Sequence, residues 1–277
     1  MTLLAWVGGA VTRGEIPSLK INDHGVVAGD GVFETAKVLD RVPFALTRHL
    51  RRLEHSAAGL GLVVDAAQVR EGIVAVLADV AAPDGLARLR ITVTGGPSPL
   101  SSERGDGPAT VIVGLAPAAP AAPFADVVIT PWVRNERAAT AGLKTTSYAE
   151  NVVALRYAHE RGGTEAIFAN TVGMLCEGTG SNVFLGLDGR LVTPALSTGC
   201  LRGVTRDLLL EWLGDVAEVE VPLDALRSAD EAFLASTLRD VQPVRWVDGA
   251  ALAATPGELT RRAAEVFAER AAIDIDP

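Results

Sequence analysis

The sequence lacks the features that define several protein classes. Its 277 residues include two cysteines, Cys176 and Cys200, too few for a disulfide framework or a thiol metal cluster. No metal site is expected, and a cytoplasmic location is. No apolar run is long enough to span a bilayer, and Met1–Gly8 lacks the basic, apolar, then small-residue order of a signal peptide. There is no excess of positive charge: 25 Lys and Arg stand against 34 Asp and Glu, a formal net charge of -9, which argues against a nucleic-acid partner. Repeats are absent. What is abundant is apolar material, 48% of the chain, which supplies a core and excludes disorder. The length suits one large domain or two modest ones.

One stretch organises the rest: Leu143-Lys144-Thr145-Thr146-Ser147-Tyr148, running into a helix whose Val152, Leu155 and Ala158 share a face. A lone lysine is more often a surface residue. A lysine fixed just before a helix can also sit in a cleft, and lysine is the side chain that forms Schiff bases with carbonyl cofactors.

In the first half, Leu3–Val7 reads as a strand, and Ala28-Gly29-Asp30-Gly31 leads into another from Val32. Its alternation puts Phe33, Thr35 and Lys37 on one face and Val32, Glu34, Ala36 and Val38 on the other. Both faces carry polar groups, as a strand beside a site or at a sheet edge does. Arg48–Leu60 is a helix with the stripe Leu50, Leu53, Ala57 and Leu60; Arg52 borders it and can turn inward, while Arg48 and Arg51 face solvent. A second helix covers Ala66–Ala81. Ala87–Thr94 is a strand with Leu89, Ile91 and Val93 on one face and Arg88, Arg90, Thr92 and Thr94 on the other. Paired arginines on a strand face clamp a carboxylate, or simply face water. Gly95–Pro108 reads as a long loop, and Thr110–Gly114 as a strand. The repeated prolines of Ala116–Pro123 stiffen the chain and mark a boundary, dividing it into 1–115, a linker 116–124 and 125–277.

In the second half, Asp126–Thr130, Ala166–Asn170 and Met174–Glu177 read as strands. Glu177-Gly178-Thr179-Gly180-Ser181-Asn182 sets a carboxylate beside glycines before a further apolar strand. Gly203-Val204-Thr205-Arg206 precedes the helix Leu208–Leu213, and a glycine turn at a helix start is an anion site or an ordinary cap. Ser236-Thr237 forms a hydroxyl-bearing turn between two strands, and Thr260–Arg270 is the last helix.

Five of these motifs, in order and spacing, resemble the class IV (fold-type IV) pyridoxal-phosphate enzymes: Gly29-Asp30-Gly31-Val32-Phe33-Glu34, His49-Leu50-Arg51-Arg52-Leu53, Lys144-Thr145-Thr146-Ser147-Tyr148, Glu177 through Phe184, and Gly203-Val204-Thr205-Arg206. The resemblance covers nearly the whole chain. It implies a two-domain α/β fold, with a smaller N-terminal domain and a larger C-terminal domain with a β-barrel-like core. It implies pyridoxal 5'-phosphate as cofactor and an active site between the domains of a homodimer. Lys144 matches the Schiff-base lysine, Glu177 the carboxylate facing the pyridine nitrogen, Tyr148 the phenol on the ring oxygen, and Arg52 the phosphate arginine. Val204, Thr205, Ser236 and Thr237 complete the phosphate cup.

Within the family, Gly-Asp-Gly is closer to D-amino-acid transaminases and aminodeoxychorismate lyases than to branched-chain aminotransferases. D-amino-acid transaminases carry Tyr in place of Phe33, and a loop Arg and His in place of Leu100 and Ser102. Arg90 is the natural substitute for that carboxylate trap, helped by Arg88 or Lys37, with Phe33 and Thr35 beside it. The expected reaction is amino transfer between a D-amino acid and a 2-keto acid. The alternative is aminodeoxychorismate lyase chemistry, which the Lys144 and Glu177 stretches also resemble although Tyr148 departs from many such lyases; branched-chain transamination ranks third.

Overall fold

The computed structural model describes residues 3–14 and 19–277, so Met1 and Thr2 of the Met1–Gly8 stretch lie outside the described residues. The chain divides into two compact units. The first holds residues 1–120, Leu143–Tyr148 and Ile275–Pro277; the second holds Ala121–Gly142 and Ala149–Asp274. The division falls inside the proline stretch, but the lysine segment and the C-terminal tripeptide go with the first unit.

The first unit contains β1 (Leu4–Val7), β2 (Ala10–Arg13), α1 (His24–Val27), β3 (Gly31–Leu39), β4 (Val42–Pro43), α2 (Leu46–Gly59), α3 (Ala66–Ala78), β5 (Leu86–Thr94) and β6 (Thr110–Pro117). Its strands form one sheet in the order β2-β1-β6-β5-β3-β4. The alternation in β3 and β5 works as expected: Val32, Ala36, Val38, Leu89, Ile91 and Val93 join the buried core that also takes Leu50, Leu53 and Ala57 of α2. Each fully buried Val, Leu or Ile among them contributes roughly 1.5–3 kcal/mol. β3 and β5 pair antiparallel, with Phe33 opposite Thr92, Thr35 opposite Arg90 and Lys37 opposite Arg88. β6 continues through Pro117, two residues into the stretch expected to link the halves, because Pro117 ends the strand opposite Ala87. The N-cap of α2 is Ala45, which offers no side-chain acceptor; the Asp276 carboxylate accepts the Thr47 N–H at 2.8 Å instead. Arg48, expected to face solvent, donates to the Pro277 carbonyl at 2.7 Å.

The second unit contains β7 (Ala125–Arg134), α4 (Ala149–His159), β8 (Glu165–Asn170), β9 (Leu175–Gly178), β10 (Asn182–Leu187), β11 (Arg190–Pro194), α5 (Val204–Leu213), β12 (Ala217–Val219), α6 (Ala225–Ser228), β13 (Glu231–Ser236), β14 (Asp240–Val247), β15 (Ala250–Ala251) and α7 (Glu258–Ile273). The main path runs β12-β11-β10-β13-β14-β7-β8-β9, mixing parallel and antiparallel pairs. β9 ends the path yet packs back against β10 and β11, so the sheet curls into a barrel-like core. Val127, Ile167, Val183, Leu185, Leu234 and Val244 fill its interior.

The buried face of α4 differs from expectation. It carries Asn151, Ala154 and Ala158, whereas Val152 is 64% exposed. Asn151 donates to the Thr179 carbonyl and accepts from Arg134, and this polar anchoring turns the helix by one residue. Among the described residues, no helix is long and apolar enough to cross a membrane.

Candidate active site

In the first unit, Lys144 is fixed through its backbone. Its carbonyl accepts the Phe33 N–H at 3.0 Å, the Thr146 N–H reaches the Gly31 carbonyl at 2.8 Å, and Val32 and Thr145 form a bridge. The Lys144 N–H donates to Ser56 Oγ at 3.1 Å. The segment therefore docks as a short extra strand beside the start of β3.

The Gly29-Asp30-Gly31 turn receives it. The Gly29 carbonyl accepts both the Thr146 and Ser147 hydroxyls, at 2.8 and 2.9 Å. Gly29 has φ +67°, and a Cβ there would lie 2.9 Å from Ser147 Oγ, so the position suits glycine on both counts. Between the glycines, Asp30 accepts Arg104 bidentately at 2.6 Å and His24 Nδ1 at 2.7 Å. Arg104 belongs to the Gly95–Pro108 loop, so this carboxylate fastens the loop from within.

Three of the expected site residues meet at the Phe33 ring. Lys144 Nζ lies 4.4 Å from its centroid, the Arg90 guanidinium carbon 3.3 Å, and Tyr148 meets it edge-on at 5.3 Å. Arg90 is exposed as a residue, yet its guanidinium is desolvated against the ring, which pulls its pKa down to about 10 and leaves it cationic at neutral pH. A ring carrying two cations is a place for an anion. Thr35 sits opposite Arg90 on the same sheet face. Lys37 instead lies 5.3 Å from the Phe44 centroid, and Arg88 is exposed.

Arg52 turns inward. It donates to Glu34 through Nε at 2.7 Å and Nη2 at 2.8 Å, while His49 Nδ1 meets the same carboxylate at 2.7 Å. Glu34 and His49 are fully buried. Burial alone would push the Glu34 carboxyl up, but the Arg52 charge and the hydrogen bonds from Arg52 and His49 outweigh it and hold it far below the usual range. Burial pushes His49 down from the ordinary histidine value. The sequence marked Arg52 but missed its partners; His49 lies one helical turn before Arg52, which is the signal that was available.

In the second unit, Glu177 Oε2 accepts the Leu201 N–H at 2.8 Å, and Oε1 lies 3.2 Å from Arg134 Nε. The Arg134 guanidinium rests on the Phe168 ring at 4.4 Å. The Leu201 carbonyl accepts Asn182 Nδ2 at 2.8 Å, so one residue is held through both its N–H and its C=O by the Glu177–Asn182 stretch. Such a braced carboxylate suits a protonated ring nitrogen. α5 starts four residues earlier than the sequence indicated, so Val204 and Thr205 are its first turn, and its N-cap Gly203 offers no side-chain acceptor. Asn182 fills the space a Cβ at Gly203 would need. An uncapped N-terminus of this kind favours a phosphate. Ser236 ends β13 and Thr237 follows in the turn to β14. Sequence reasoning gave no role to Arg134, Leu201 or Asn182.

Residues 31–247 match the family described as Amino-transferase class IV. A putative branched-chain-amino-acid aminotransferase of Methanocaldococcus jannaschii is 31% identical, with 90% of each chain covered. A D-alanine aminotransferase of Bacillus licheniformis is 29% identical over 88% of each chain. A bifunctional aminodeoxychorismate lyase / D-amino acid transaminase of Mycobacterium tuberculosis is 31% identical over 96% of each. Among solved structures, the PLP-bound form of a hypothetical aminotransferase from Mycobacterium tuberculosis aligns with TM-score 0.84 and 27% identity, covering 99% of this chain and 100% of that one. Fold, motifs and relatives converge: the chain belongs to the class IV aminotransferases, enzymes that use pyridoxal 5'-phosphate.

Proposed function

We propose that this aminotransferase moves an amino group between a D-amino acid and a 2-keto acid, with Arg90 taking the substrate carboxylate. The Phe33 ring carries the reading, because it holds the Arg90 guanidinium and the Lys144 amine together. An amino acid presents a carboxylate and an amine on one carbon, so a fixed cation beside the reacting lysine orients it. Leu100, where D-amino-acid transaminases place an arginine, is 78% exposed and apolar, which leaves the carboxylate to Arg90.

When bound, pyridoxal 5'-phosphate supplies an electron sink that acidifies the substrate Cα–H. Lys144 takes that proton and returns it. Glu177 keeps a proton on the ring nitrogen, and Tyr148 donates to the ring oxygen. Arg52, Val204, Thr205, Ser236 and Thr237 hold the phosphate; Glu34 orients Arg52 for it. Phe33 and Thr35 border the substrate, with Lys37 and Arg88 as outlying cations. The reading places the enzyme in the cytoplasm as a homodimer.

A second reading has a specific support, the Mycobacterium tuberculosis relative named for both activities. In it Lys144 removes the Cα proton of aminodeoxychorismate, pyruvate leaves, and 4-aminobenzoate forms. The Gly-Asp-Gly run sets branched-chain transamination behind both.

An absorbance spectrum separates these. D-alanine or D-glutamate without keto acid should convert the cofactor lastingly to its amine form, and L-leucine should not. A spectrum unmoved by D-amino acids would refute the transaminase reading and favour the lyase. Conversion by L-leucine alone would favour the branched-chain reading.

A further inference from the structure

Glu165, at the start of β8, is 1% exposed and has no part in the chemistry above. Its carboxylate gathers donors from two turns distant in sequence. Oε1 accepts the Thr179 N–H at 3.1 Å and also the Thr179 hydroxyl. Oε2 accepts the Ser181 hydroxyl at 3.1 Å and Arg239 Nη2 at 3.0 Å. Thr179 and Ser181 lie just past Glu177, and Arg239 lies just past Ser236 and Thr237. Arg239 is itself braced, with Nη1 donating to Gln242 Oε1 at 2.5 Å and Gln242 Nε2 donating to the Ala122 carbonyl at 2.7 Å. Gly178 has no room for a Cβ between Ser181 and Glu165, so the first turn is packed onto this carboxylate.

We infer that Glu165 and Arg239 are positioning residues that lock the turn carrying Glu177 to the turn carrying Ser236 and Thr237, and so set the distance between the ring-nitrogen and phosphate contacts. The inference rests on the cofactor roles proposed above. The ring nitrogen and the phosphate are separate anchor points on one ligand, joined through the rigid ring and a short methylene–oxygen arm that keeps their separation within narrow limits. Groups that meet both points must keep a fixed separation before binding, or the ordering is charged against affinity. One buried carboxylate satisfied from both turns provides that separation without touching the ligand.

The test compares two ligands on the cofactor-free protein: pyridoxal 5'-phosphate, which engages both points, and pyridoxal, which lacks the phosphate. Titration is followed by visible absorbance, with circular dichroism confirming that each variant is folded at the assay temperature. Glu165→Gln should weaken pyridoxal 5'-phosphate binding by tenfold or more and pyridoxal binding by less than threefold. Arg239→Gln, at the more exposed partner, should do the same and carries the test if Glu165→Gln does not fold. The double variant should lose little beyond either single one. Equal losses for the two ligands, or no loss, would overturn the inference and leave Glu165 a fold-stabilising residue. If the unchanged protein formed no visible band with pyridoxal 5'-phosphate, the cofactor roles would fall and the inference with them, a result distinct from failure of the variants alone.

Discussion

Replacing Glu34 with glutamine removes a negative charge from a place no water reaches. The carboxylate is 0% exposed and takes both Arg52 bonds and the His49 bond. Breaking a buried ion pair by removing one partner costs about 3–5 kcal/mol, chiefly because the other charge stays buried and unpaired. Glutamine keeps the shape and one acceptor, and the Arg52 side chain is 12% exposed and partly rehydrates, so the lower end applies, about 3 kcal/mol. With a urea slope of about 3 kcal/mol per molar, the unfolding midpoint of the cofactor-free protein at pH 7 should fall by about 1 M. Replacing both partners, as Glu34→Leu with Arg52→Met, should cost less than Glu34→Gln, since an apolar pair of similar volume is close to neutral and the remaining loss is the His49 bond to Glu34, about 1 kcal/mol. A midpoint shift below about 0.3 M for Glu34→Gln, or a double variant as damaged as the single one, would refute the charge argument.

The pH dependence follows with a definite sign. Folding depresses the Glu34 pKa from an ordinary 4.5, so its stabilisation is present above that value and is lost as pH falls below it. The gap between parent and Glu34→Gln should therefore be full at pH 6–7 and narrow between about pH 5 and 3. A gap that widened on acidification would contradict the assignment.

Lys144→Ala should abolish turnover while the protein still binds cofactor; substantial activity would remove Lys144 from its role. Glu177→Gln should slow Cα deprotonation by about 3 kcal/mol, near a hundredfold in single-turnover rate, and a parent-like rate would end its assignment to the ring nitrogen. Arg90→Leu should raise the KM for α-carboxylate substrates by roughly tenfold or more, the worth of a charged hydrogen bond, whereas an unchanged KM would send the carboxylate elsewhere. His24 places Nδ1 on Asp30 and Nε2 on the Ser101 carbonyl at 3.1 Å, two acceptors that together require the imidazolium. The Asp30 bond raises its pKa above 6.5, so its stabilisation is full below that value and fades as pH rises through the higher folded value. Protease cleavage within Gly95–Pro108 should accordingly increase with pH in the parent and be pH-independent over that window in His24→Gln; equal pH profiles would discount the tether.

What the sequence disclosed depended on how local the cause was. The two faces of β5 were legible because a strand alternates regardless of its neighbours, and the core took Leu89, Ile91 and Val93 as the pattern required. The α2 stripe was legible for the same reason. α4 was not, because two polar contacts at Asn151 outweighed a weakly amphipathic pattern. The Gly-Asp-Gly motif shows the limit most clearly. As a string it signals only permissive backbone. Its meaning comes from Thr146, 117 positions away, whose hydroxyl reaches the Gly29 carbonyl, and from Arg104, 74 positions away, on Asp30. Side chains at the glycines would crowd the lysine segment out, since a Cβ at Gly31 would stand 3.0 Å from Thr146 Oγ1 and 2.9 Å from the Val93 carbonyl. The motif is therefore the seat of the Lys144 segment and the anchor of the loop at once. Such long-range pairing leaves no periodic trace along the chain, so only comparison with a family could have pointed to it.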